Sequence, residues 1–341
     1  MEPHNIELPR RVIIGNDVLK EIRVVCDELN LSNGLVLADH VTAKIAGEKV
    51  AGLVGAKMEI AGDVTYQEME RFEKAIAGKK TGYVIGVGGG RVIDFGKLLS
   101  FRKKIPFISV PTAPSHDGIA SERVSVKERQ ERHSIKGEPP IAIIADIGIL
   151  LNAPHRLVAA GAADVISNYS AVYDWKLGRK KGEYYSDYSA SLSLLSAEIV
   201  MFSVQMIKNR EERGMRNLVE ALISSGIAMS LAGTSRPASG SEHSFSHVLD
   251  ILGSKALHGE QCGVGCIVSS YMQGQDWVRI RDVLRELGAP TTARELGVKD
   301  EMAVEAVVKA RSLRSRHTIF DEKDIGEKEA REACRETGVT G

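Results

Sequence analysis

The sequence predicts an α/β protein with a parallel sheet in its first part and an all-helical second part. Short β-prone runs alternate with amphipathic helical patterns up to about residue 150, which is typical of a parallel sheet with helices on its faces. Helical periodicity dominates after Asn152. A chain of 341 residues has room for two domains. We place them at 1–152 and 153–341, because Pro154 suits the start of a helix.

The pattern predicts six strands in the first part, at 12–14, 35–38, 58–60, 83–87, 105–110 and 141–145. Helices are expected at 17–29, 43–54, 66–76 and 92–100, with Asp17 and Thr42 as helix caps. A surface hairpin is expected from 124–126 and 133–135, joined by a charged turn at 127–132. In the second part, the helical periodicity predicts helices near 155–176, 184–208, 213–232, 242–252, 260–273, 276–287, 292–296 and 300–311.

The composition favours a small-molecule ligand. Lys and Arg number 45 and Asp and Glu number 45, so the charge balance favours neither nucleic acid nor an anionic membrane as partner. No apolar run approaches the roughly 20 residues that cross a bilayer, and the first residues lack a signal pattern. We therefore expect a cytoplasmic protein without membrane insertion. The 4 cysteines fit reduced thiols, and Cys262 and Cys266 are interpreted as small buried residues.

The segment 83–94 indicates a nucleotide site. A β-prone run ends in Gly88, Gly89 and Gly90, and an amphipathic helix pattern follows. Glycine lets the backbone come close to a pyrophosphate, and the free N–H groups of the next helix point toward an anion. Asp94 falls in the first turn of that helix, where a carboxylate is favoured and can bond a ligand hydroxyl. The full dinucleotide fingerprint is not met, so a plain tight turn is the alternative.

A second loop follows the strand expected at 105–110. It carries hydroxyls and one carboxylate, and its sequence is Pro111-Thr112-Ala113-Pro114-Ser115-His116-Asp117-Gly118. Open α/β sheets bind ligands at the carboxyl ends of their strands, so this loop is a candidate for ligand contact. The alternative is a Pro-directed turn in which Asp117 bonds its own backbone.

Three residues of the helical part form a candidate metal site: Asp164, His243 and His258. Two imidazoles and a carboxylate suit Zn²⁺ or Fe²⁺ and leave a coordination position for water or substrate. His243 and His247 lie one helical turn apart and are an alternative ligand pair. Glu242 precedes His243 rather than following it, so the His-Glu-x-x-His pattern of zinc peptidases is absent and hydrolysis is disfavoured.

Four segments together resemble the archaeal sn-glycerol-1-phosphate dehydrogenases. They are Gly88-Gly89-Gly90 with Asp94, the stretch from Pro111 to Ser121, Gly161-Ala162-Ala163-Asp164, and Gly240-Ser241-Glu242-His243-Ser244-Phe245-Ser246-His247. This family belongs to the superfamily of glycerol dehydrogenase, iron-containing alcohol dehydrogenase and dehydroquinate synthase. The likeness runs from about Leu8 to Thr318, and the loop from Thr112 to Ser121 is its most specific part.

The resemblance implies a Rossmann-like N-terminal domain, an all-α C-terminal domain and an active site in the cleft between them. It implies NAD or NADP as coenzyme, one Zn²⁺ per subunit bound by Asp164, His243 and His258, and substrate contacts from Asp117, Asp164 and His247. The coenzyme contacts that it implies are Asp39, Gly88, Gly89, Gly90, Arg91, Val92, Ile93, Asp94, Thr112, Ala113, Pro114, Ser115 and Ser121. Asp39 at a strand end suits the ribose hydroxyls of NAD.

The activity that the resemblance implies is reversible reduction of dihydroxyacetone phosphate to sn-glycerol 1-phosphate for archaeal membrane lipids. It also implies a cytoplasmic homo-oligomer. His247, or water ordered by it, is the candidate proton relay, since imidazole ordinarily titrates near neutral pH. Two alternative functions stay open at this point: a glycerol or alcohol dehydrogenase of the same fold, and a dehydroquinate-synthase-like lyase. A nucleotide-binding regulatory module is a third alternative, but it would leave the metal ligands and Asp117 without a role.

Overall fold

A computed structural model describes residues 6–78, 80–128, 131–313, 316–323 and 325–341. The chain divides into two compact units. Unit 1 extends to Pro154, and unit 2 comprises His155–Gly341.

Unit 1 contains a six-stranded sheet in which every neighbouring pair is parallel, with the order β1-β8-β5-β4-β2-β3. The strands are β1 (Arg11–Gly15), β2 (Gly34–Ala38), β3 (Lys57–Ile60), β4 (Tyr83–Gly88), β5 (Phe107–Pro111) and β8 (Ala142–Asp146). All six coincide with predicted strands to within two residues at each end. The β-branched and aromatic residues of β4, β5 and β8 are buried, as is usual for parallel strands covered on both faces.

The strand order creates a switch point between β2 and β4. The chain leaves β2 toward β3, on one side, and leaves β4 toward β5, on the other. Loops that depart in opposite directions open a crevice at the carboxyl ends of the two strands, and open α/β sheets bind ligands there. Asp39 follows β2 and Gly89 follows β4, so both lie at this point of the sheet.

The helices of unit 1 are α1 (Ile22–Glu28), α2 (His40–Thr42), α3 (Glu48–Val54), α4 (Tyr66–Ala75), α5 (Gly90–Lys103) and α6 (Ile147–Leu151). One turn of 3-10 helix (Val18–Glu21) precedes α1, and one π-helical turn (Ala43–Gly47) joins α2 to α3.

Asp17 and Thr42 precede helical turns as predicted, but neither side chain accepts a capping bond from the turn that follows. Asp17 has a left-handed backbone and makes no capping bond; its carboxylate pairs with Lys20 and Lys49 instead. The helix predicted to begin after Thr42 begins three residues earlier, and Asp39 caps it. The Asp39 carboxylate accepts hydrogen bonds from the backbone of Val41 and Thr42, while the Thr42 hydroxyl accepts from the Asp39 backbone. This reciprocal arrangement is a capping box.

The predicted hairpin is confirmed as β6 (Arg123–Glu128) and β7 (Glu131–Lys136), which pair antiparallel. The expected turn at 127–132 was too long, because Lys127 pairs with Arg132 and Glu128 with Glu131 in the ladder. Residues 129 and 130 lie outside the described residues.

Every regular element of unit 2 is a helix within the residues that the structure describes. Its helices are α7 (His155–Ile166), α8 (Asn168–Lys180), α9 (Asp187–Phe202), α10 (Val204–Lys208), α11 (Glu212–Ala232), α12 (Ser241–Ile251), α13 (His258–Met272), α14 (Trp277–Glu286), α15 (Asp300–Leu313), α16 (Ile319–Glu322) and α17 (Glu327–Glu336). The α/β fold class is thereby confirmed.

Three predicted helices of unit 2 differ from the structure. The helix expected at 155–176 is interrupted at Ser167, whose hydroxyl donates to the Asp164 carbonyl and competes with the helical ladder. The helix expected at 184–208 begins at Asp187 and is interrupted at Ser203, after which the short helix α10 begins. Residues 292–296 form turns rather than a helix, with the Glu295 carboxylate accepting from Thr291. None of the described helices is long and apolar enough to cross a membrane.

Candidate functional site

The glycine loop has one position that faces open space. A Cβ on Gly88 would lie 2.7 Å from Val92, and a Cβ on Gly90 would lie 1.9 Å from Nε2 of His116, so packing requires glycine at both. A Cβ on Gly89 would meet no atom within 4 Å. Gly89 is also the residue before α5, whose first backbone N–H groups have no acceptor within the helix. The open space therefore lies where an anion would meet these groups.

Beside this loop, a cavity of about 900 Å³ is lined by the ends of β2 and β3 and by Arg91 of α5. Arg91 lies between two acids: its guanidinium nitrogens are 3.4 Å from Oδ2 of Asp39 and 3.2 Å from Oδ1 of Asp63. Burial opposes ionisation of Asp39, but hydrogen bonds from Thr42 and Val41 and the charge of Arg91 bring its pKa below the ordinary value. Asp39 is therefore a carboxylate whose Oδ1 caps a helix and whose Oδ2 faces Arg91 at the cavity.

Asp94 has an internal role in the structure. It is buried, its Oδ2 accepts from the backbone N–H of Ser125, and its Oδ1 lies 3.0 Å from Nζ of Lys97. Lys97 is fully buried and donates to the carbonyls of Gly118, Ser121 and Arg123. The pair therefore attaches the loop before β6 to α5. The predicted contact between Asp94 and a coenzyme stays a prediction.

The second predicted loop follows β5 next to the glycine loop. The backbone N–H of Thr112 donates to the carbonyl of Gly88 at 3.0 Å, which joins the two loops. Nδ1 of His116 accepts from the backbone N–H of Gly118, and Asp117 begins a short 3-10 turn. Thr112, Ala113 and Pro114 are buried, Ser115 and Asp117 are partly exposed, and Ser121 is fully buried with its hydroxyl bonded to the Arg123 N–H.

The side chains of Val92 and Ile93 are buried in the core of unit 1. Any contact that these two residues make with a ligand would therefore come from their backbone. Arg91, by contrast, is half exposed at the cavity.

In unit 2, three helices bring together the residues predicted to bind a metal. Asp164 lies on α7, His243 on α12 and His258 at the start of α13. Nε2 of each histidine is 3.9 Å from Oδ1 of Asp164, and the two imidazole centroids are 4.8 Å apart. With Sγ of Cys262, the four ligand atoms lie within 4.8 Å of one another. This donor set fits a first-row divalent ion.

Each of the two imidazoles is oriented by a partner on its other nitrogen. Nδ1 of His243 lies 2.9 Å from Oε1 of Glu242, and Nδ1 of His258 lies 3.0 Å from the hydroxyl of Ser246. Glu242 is fully buried, which opposes its ionisation, but hydrogen bonds from His243, Gly240 and Ser170 lower its pKa below the ordinary value. Because the Glu242 carboxylate can only accept a hydrogen bond, His243 must carry its proton on Nδ1. The lone pair on Nε2 then faces Asp164.

The sequence interpretation missed Glu242 and Ser246 as partners of the ligands and treated Cys262 as an ordinary buried residue. Sγ of Cys262 lies 3.6 Å from Nε2 of His258, and burial raises the pKa of this thiol well above its ordinary value. The four-residue spacing from His258 was the available signal. His247 lies outside the group of four, with its ring 6.1 Å from that of His258, and it is buried.

Curated relatives match nearly the whole chain. A protein of Pyrococcus horikoshii named glycerol-1-phosphate dehydrogenase [NAD(P)+] is 48% identical over 344 residues, which cover 98% of this chain and 99% of the relative. A protein of Methanoregula boonei with the same name is 48% identical over 324 residues, or 93% of this chain and 90% of the relative. The model of the family "Iron-containing alcohol dehydrogenase" matches residues 13–154.

Solved structures share the fold at low sequence identity. A probable glycerol dehydrogenase from Sinorhizobium meliloti has a TM-score of 0.84 at 19% identity and covers 98% of both chains. Glycerol dehydrogenase from Schizosaccharomyces pombe has a TM-score of 0.82 at 18% identity, covering 99% of this chain and 91% of its own. Identity at this level shows the fold alone. The near full-length curated relatives establish more: this chain belongs to the glycerol-1-phosphate dehydrogenase [NAD(P)+] family.

Proposed function

We propose that the protein reversibly reduces dihydroxyacetone phosphate to sn-glycerol 1-phosphate with NADH or NADPH. The observation that supports this most strongly is the cluster of Asp164, His243 and His258 in a chain 48% identical to relatives of that name. A glycerol or alcohol dehydrogenase of the same fold and a dehydroquinate-synthase-like lyase would share this cluster. The names of the full-length relatives favour the glycerol phosphate reaction over both.

We assign the coenzyme to the crevice at the ends of β2, β4 and β5. The open space at Gly89 suits the pyrophosphate, and the Asp39 carboxylate suits a ribose hydroxyl. The remaining contacts are those implied by the resemblance, and they include Thr112 to Ser115 and Ser121. The coenzyme supplies the hydride, so the protein's part is to hold its ring against the substrate.

The residues at the metal cluster fit Zn²⁺, with Asp164, His243 and His258 as ligands. A divalent ion bound there supplies a Lewis acid for a carbonyl oxygen. The Glu242 carboxylate accepts from Nδ1 of His243, so the Nε2 lone pair of His243 faces Asp164, where the ion would bind.

We assign substrate contacts to Asp117, Asp164 and His247. His247 is the candidate group for delivering a proton to the substrate oxygen, directly or through water, because imidazole can donate and accept near neutral pH. We further propose that the protein carries one ion per subunit, forms a homo-oligomer, acts in the cytoplasm and supplies the glycerophosphate backbone of archaeal lipids.

The test is an absorbance assay with dihydroxyacetone phosphate, run with NADH and with NADPH before and after chelation. Oxidation of either coenzyme, loss of that activity on chelation and a product of sn-1 configuration are expected. Reduction of dihydroxyacetone but not of its phosphate would identify a glycerol dehydrogenase instead. Absence of net coenzyme oxidation with both carbonyl compounds would favour the lyase.

A further inference from the structure

The hydroxyl of Ser246 is one link in a chain of hydrogen bonds that begins at Asp250. Nε2 of Gln261 lies 3.2 Å from Oδ1 of Asp250 and 3.4 Å from the carbonyl oxygen of Ala256. Both of these atoms only accept, so the amide group of Gln261 must face them with its N–H bonds. The amide oxygen of Gln261 therefore faces the other way, toward Ser246.

The direction of every later bond follows from counting protons. The Ser246 hydroxyl lies 2.7 Å from Oε1 of Gln261 and donates its single proton to that oxygen. Its oxygen can then only accept from Nδ1 of His258, at 3.0 Å. A neutral imidazole carries one proton, so a proton on Nδ1 leaves Nε2 with a lone pair. That nitrogen is the one 3.9 Å from Asp164.

We propose that Ser246, Gln261 and Asp250 are positioning residues that hold His258 as the Nδ1–H tautomer, ready to bind a metal through Nε2. The inference deepens the proposed metal site and rests on it. Gln261 and Ser246 are fully buried, so the bond between them is shielded from water, while the His258 ring at the other end is partly exposed. Glu242 orients His243 directly with a charge, whereas the neutral side chains of Ser246 and Gln261 stand between His258 and the Asp250 carboxylate.

Two substitutions interrupt the chain at different points. Ser246→Ala removes the acceptor for Nδ1–H of His258. Gln261→Met keeps the hydroxyl but removes the oxygen that takes its proton, so Ser246 becomes free to donate to Nδ1 and the Nε2–H tautomer becomes accessible. Ser244→Ala is the matched control, because Ser244 is a buried serine of the same helix whose hydroxyl donates to the carbonyl of Gly240.

The first measurement is the tautomer of His258 in the metal-free protein, from long-range proton–nitrogen correlation spectra. We expect the Nδ1–H form in the unmodified protein and in Ser244→Ala, and a mixture or the Nε2–H form in the other two variants. The second is the affinity for Zn²⁺, measured by competition with a chromogenic chelator. Loss of a partner of this kind costs about 10-fold to 100-fold in affinity.

The proposal is overturned if His258 keeps the Nδ1–H form and the zinc affinity is unchanged in both variants that fold, as judged by circular dichroism. The same holds if His258 in the unmodified protein carries its proton on Nε2. Failure of the proposed function has a different signature: the tautomer changes as expected, yet the unmodified protein oxidises no coenzyme with dihydroxyacetone phosphate. The tautomer readout therefore separates the two.

Discussion

Oε1 of Glu242 lies 2.9 Å from Nδ1 of His243, while its other carboxylate oxygen accepts from the hydroxyl of Ser170. The carboxylate is fully buried and adjacent in sequence to the histidine that it orients. Because it carries a charge, it also strengthens the imidazole as a metal ligand.

Replacing Glu242 by glutamine should weaken metal binding without unfolding unit 2. The amide oxygen can still accept from His243 and from the Gly240 N–H, so the shape is kept and the charge is lost. We expect the affinity for Zn²⁺ to fall about 10-fold or more. Equilibrium dialysis with zinc determination checks this. Glu73→Gln, which removes a carboxylate paired with Arg102 in unit 1, should leave zinc binding unchanged. Equal zinc affinity in both variants would show that the Glu242 charge has no such role.

Gly89→Ala should weaken coenzyme binding while leaving the fold intact. The added methyl meets no protein atom within 4 Å, and the backbone angles suit alanine, so it would occupy only the space assigned to the pyrophosphate. We expect the Kd for NADH to rise at least about 10-fold, equivalent to about 1.4 kcal/mol. Fluorescence titration with NADH measures this. Gly52→Ala also adds a methyl into open space, on α3, and should leave the Kd unchanged. A Gly89→Ala protein that binds NADH normally would place the coenzyme elsewhere.

Arg91 should decide how well NADPH competes with NADH. The guanidinium lies between Asp39 and Asp63 and can turn toward a 2′-phosphate, whereas the Asp39 carboxylate repels that group. In Arg91→Ala we expect kcat/KM with NADPH to fall about 10-fold relative to NADH, since a charge-assisted hydrogen bond contributes about 1.5–3 kcal/mol.

Asp39→Asn keeps the capping oxygen of this residue and should shift the coenzyme ratio toward NADPH. The comparison variant is Arg71→Ala, because Arg71 lines the same cavity but forms two hydrogen bonds to Glu68. If Arg91→Ala and Arg71→Ala change the coenzyme ratio alike, Arg91 is not the selecting residue.

The stability of unit 1 should decrease in acid because of His116. Burial lowers the pKa of His116, and the carboxylates of Asp94 and Asp117 oppose that shift only in part. The unfolded chain has the ordinary value near 6.5. As the pH falls below about 6.5, the unfolded chain takes up a proton that the folded chain does not bind, so the free energy of unfolding declines until the folded-state pKa is passed.

The slope is limited to about 1.4 kcal/mol per pH unit, and partial exposure of the ring keeps it below that limit. This slope can be measured by urea unfolding of the metal-free protein between pH 5 and 8. The interval brackets the ordinary histidine pKa near 6.5. His116→Asn preserves an acceptor for the Gly118 N–H and should flatten the profile. The control is His40→Asn, at an exposed histidine of unit 1, which should retain the pH dependence of the unfolding free energy. An unchanged slope in His116→Asn would assign the acid sensitivity to other groups.

Much of unit 1 could be predicted because its signals are local. The run 83–103 becomes β4, a glycine before the helix and α5, since β-prone residues, three glycines and an amphipathic pattern each act within a few positions. The metal ligands could be proposed from the sequence, although the residues alone left His247 as an alternative and only the resemblance implied His258. The tautomer of His258 could not be predicted in this way. Gln261 and Asp250 act on His258 through Ser246, and these bonds form only once α12 and α13 pack together.

The same limit explains the errors at helix boundaries. Thr42 has the side chain of a capping residue, but Asp39 takes that place because its carboxylate accepts two backbone N–H bonds. Asp94 has the position expected of a ligand contact, but in the structure its carboxylate pairs with the buried ammonium group of Lys97. The three-residue spacing alone does not reveal that Lys97 is buried.

The most direct test of the account is the effect of His258→Ala on turnover and on coenzyme binding, measured on the same protein. Loss of a metal ligand should remove several kcal/mol of transition-state stabilisation, which at about 1.4 kcal/mol per factor of ten predicts a fall in kcat of about 1000-fold. The Kd for NADH should stay within about twofold, because the proposed coenzyme contacts all lie in unit 1. His155→Ala, at a histidine that bonds the Leu287 carbonyl, is the control. A His258→Ala protein that reduces dihydroxyacetone phosphate at the normal rate after chelation would contradict the account.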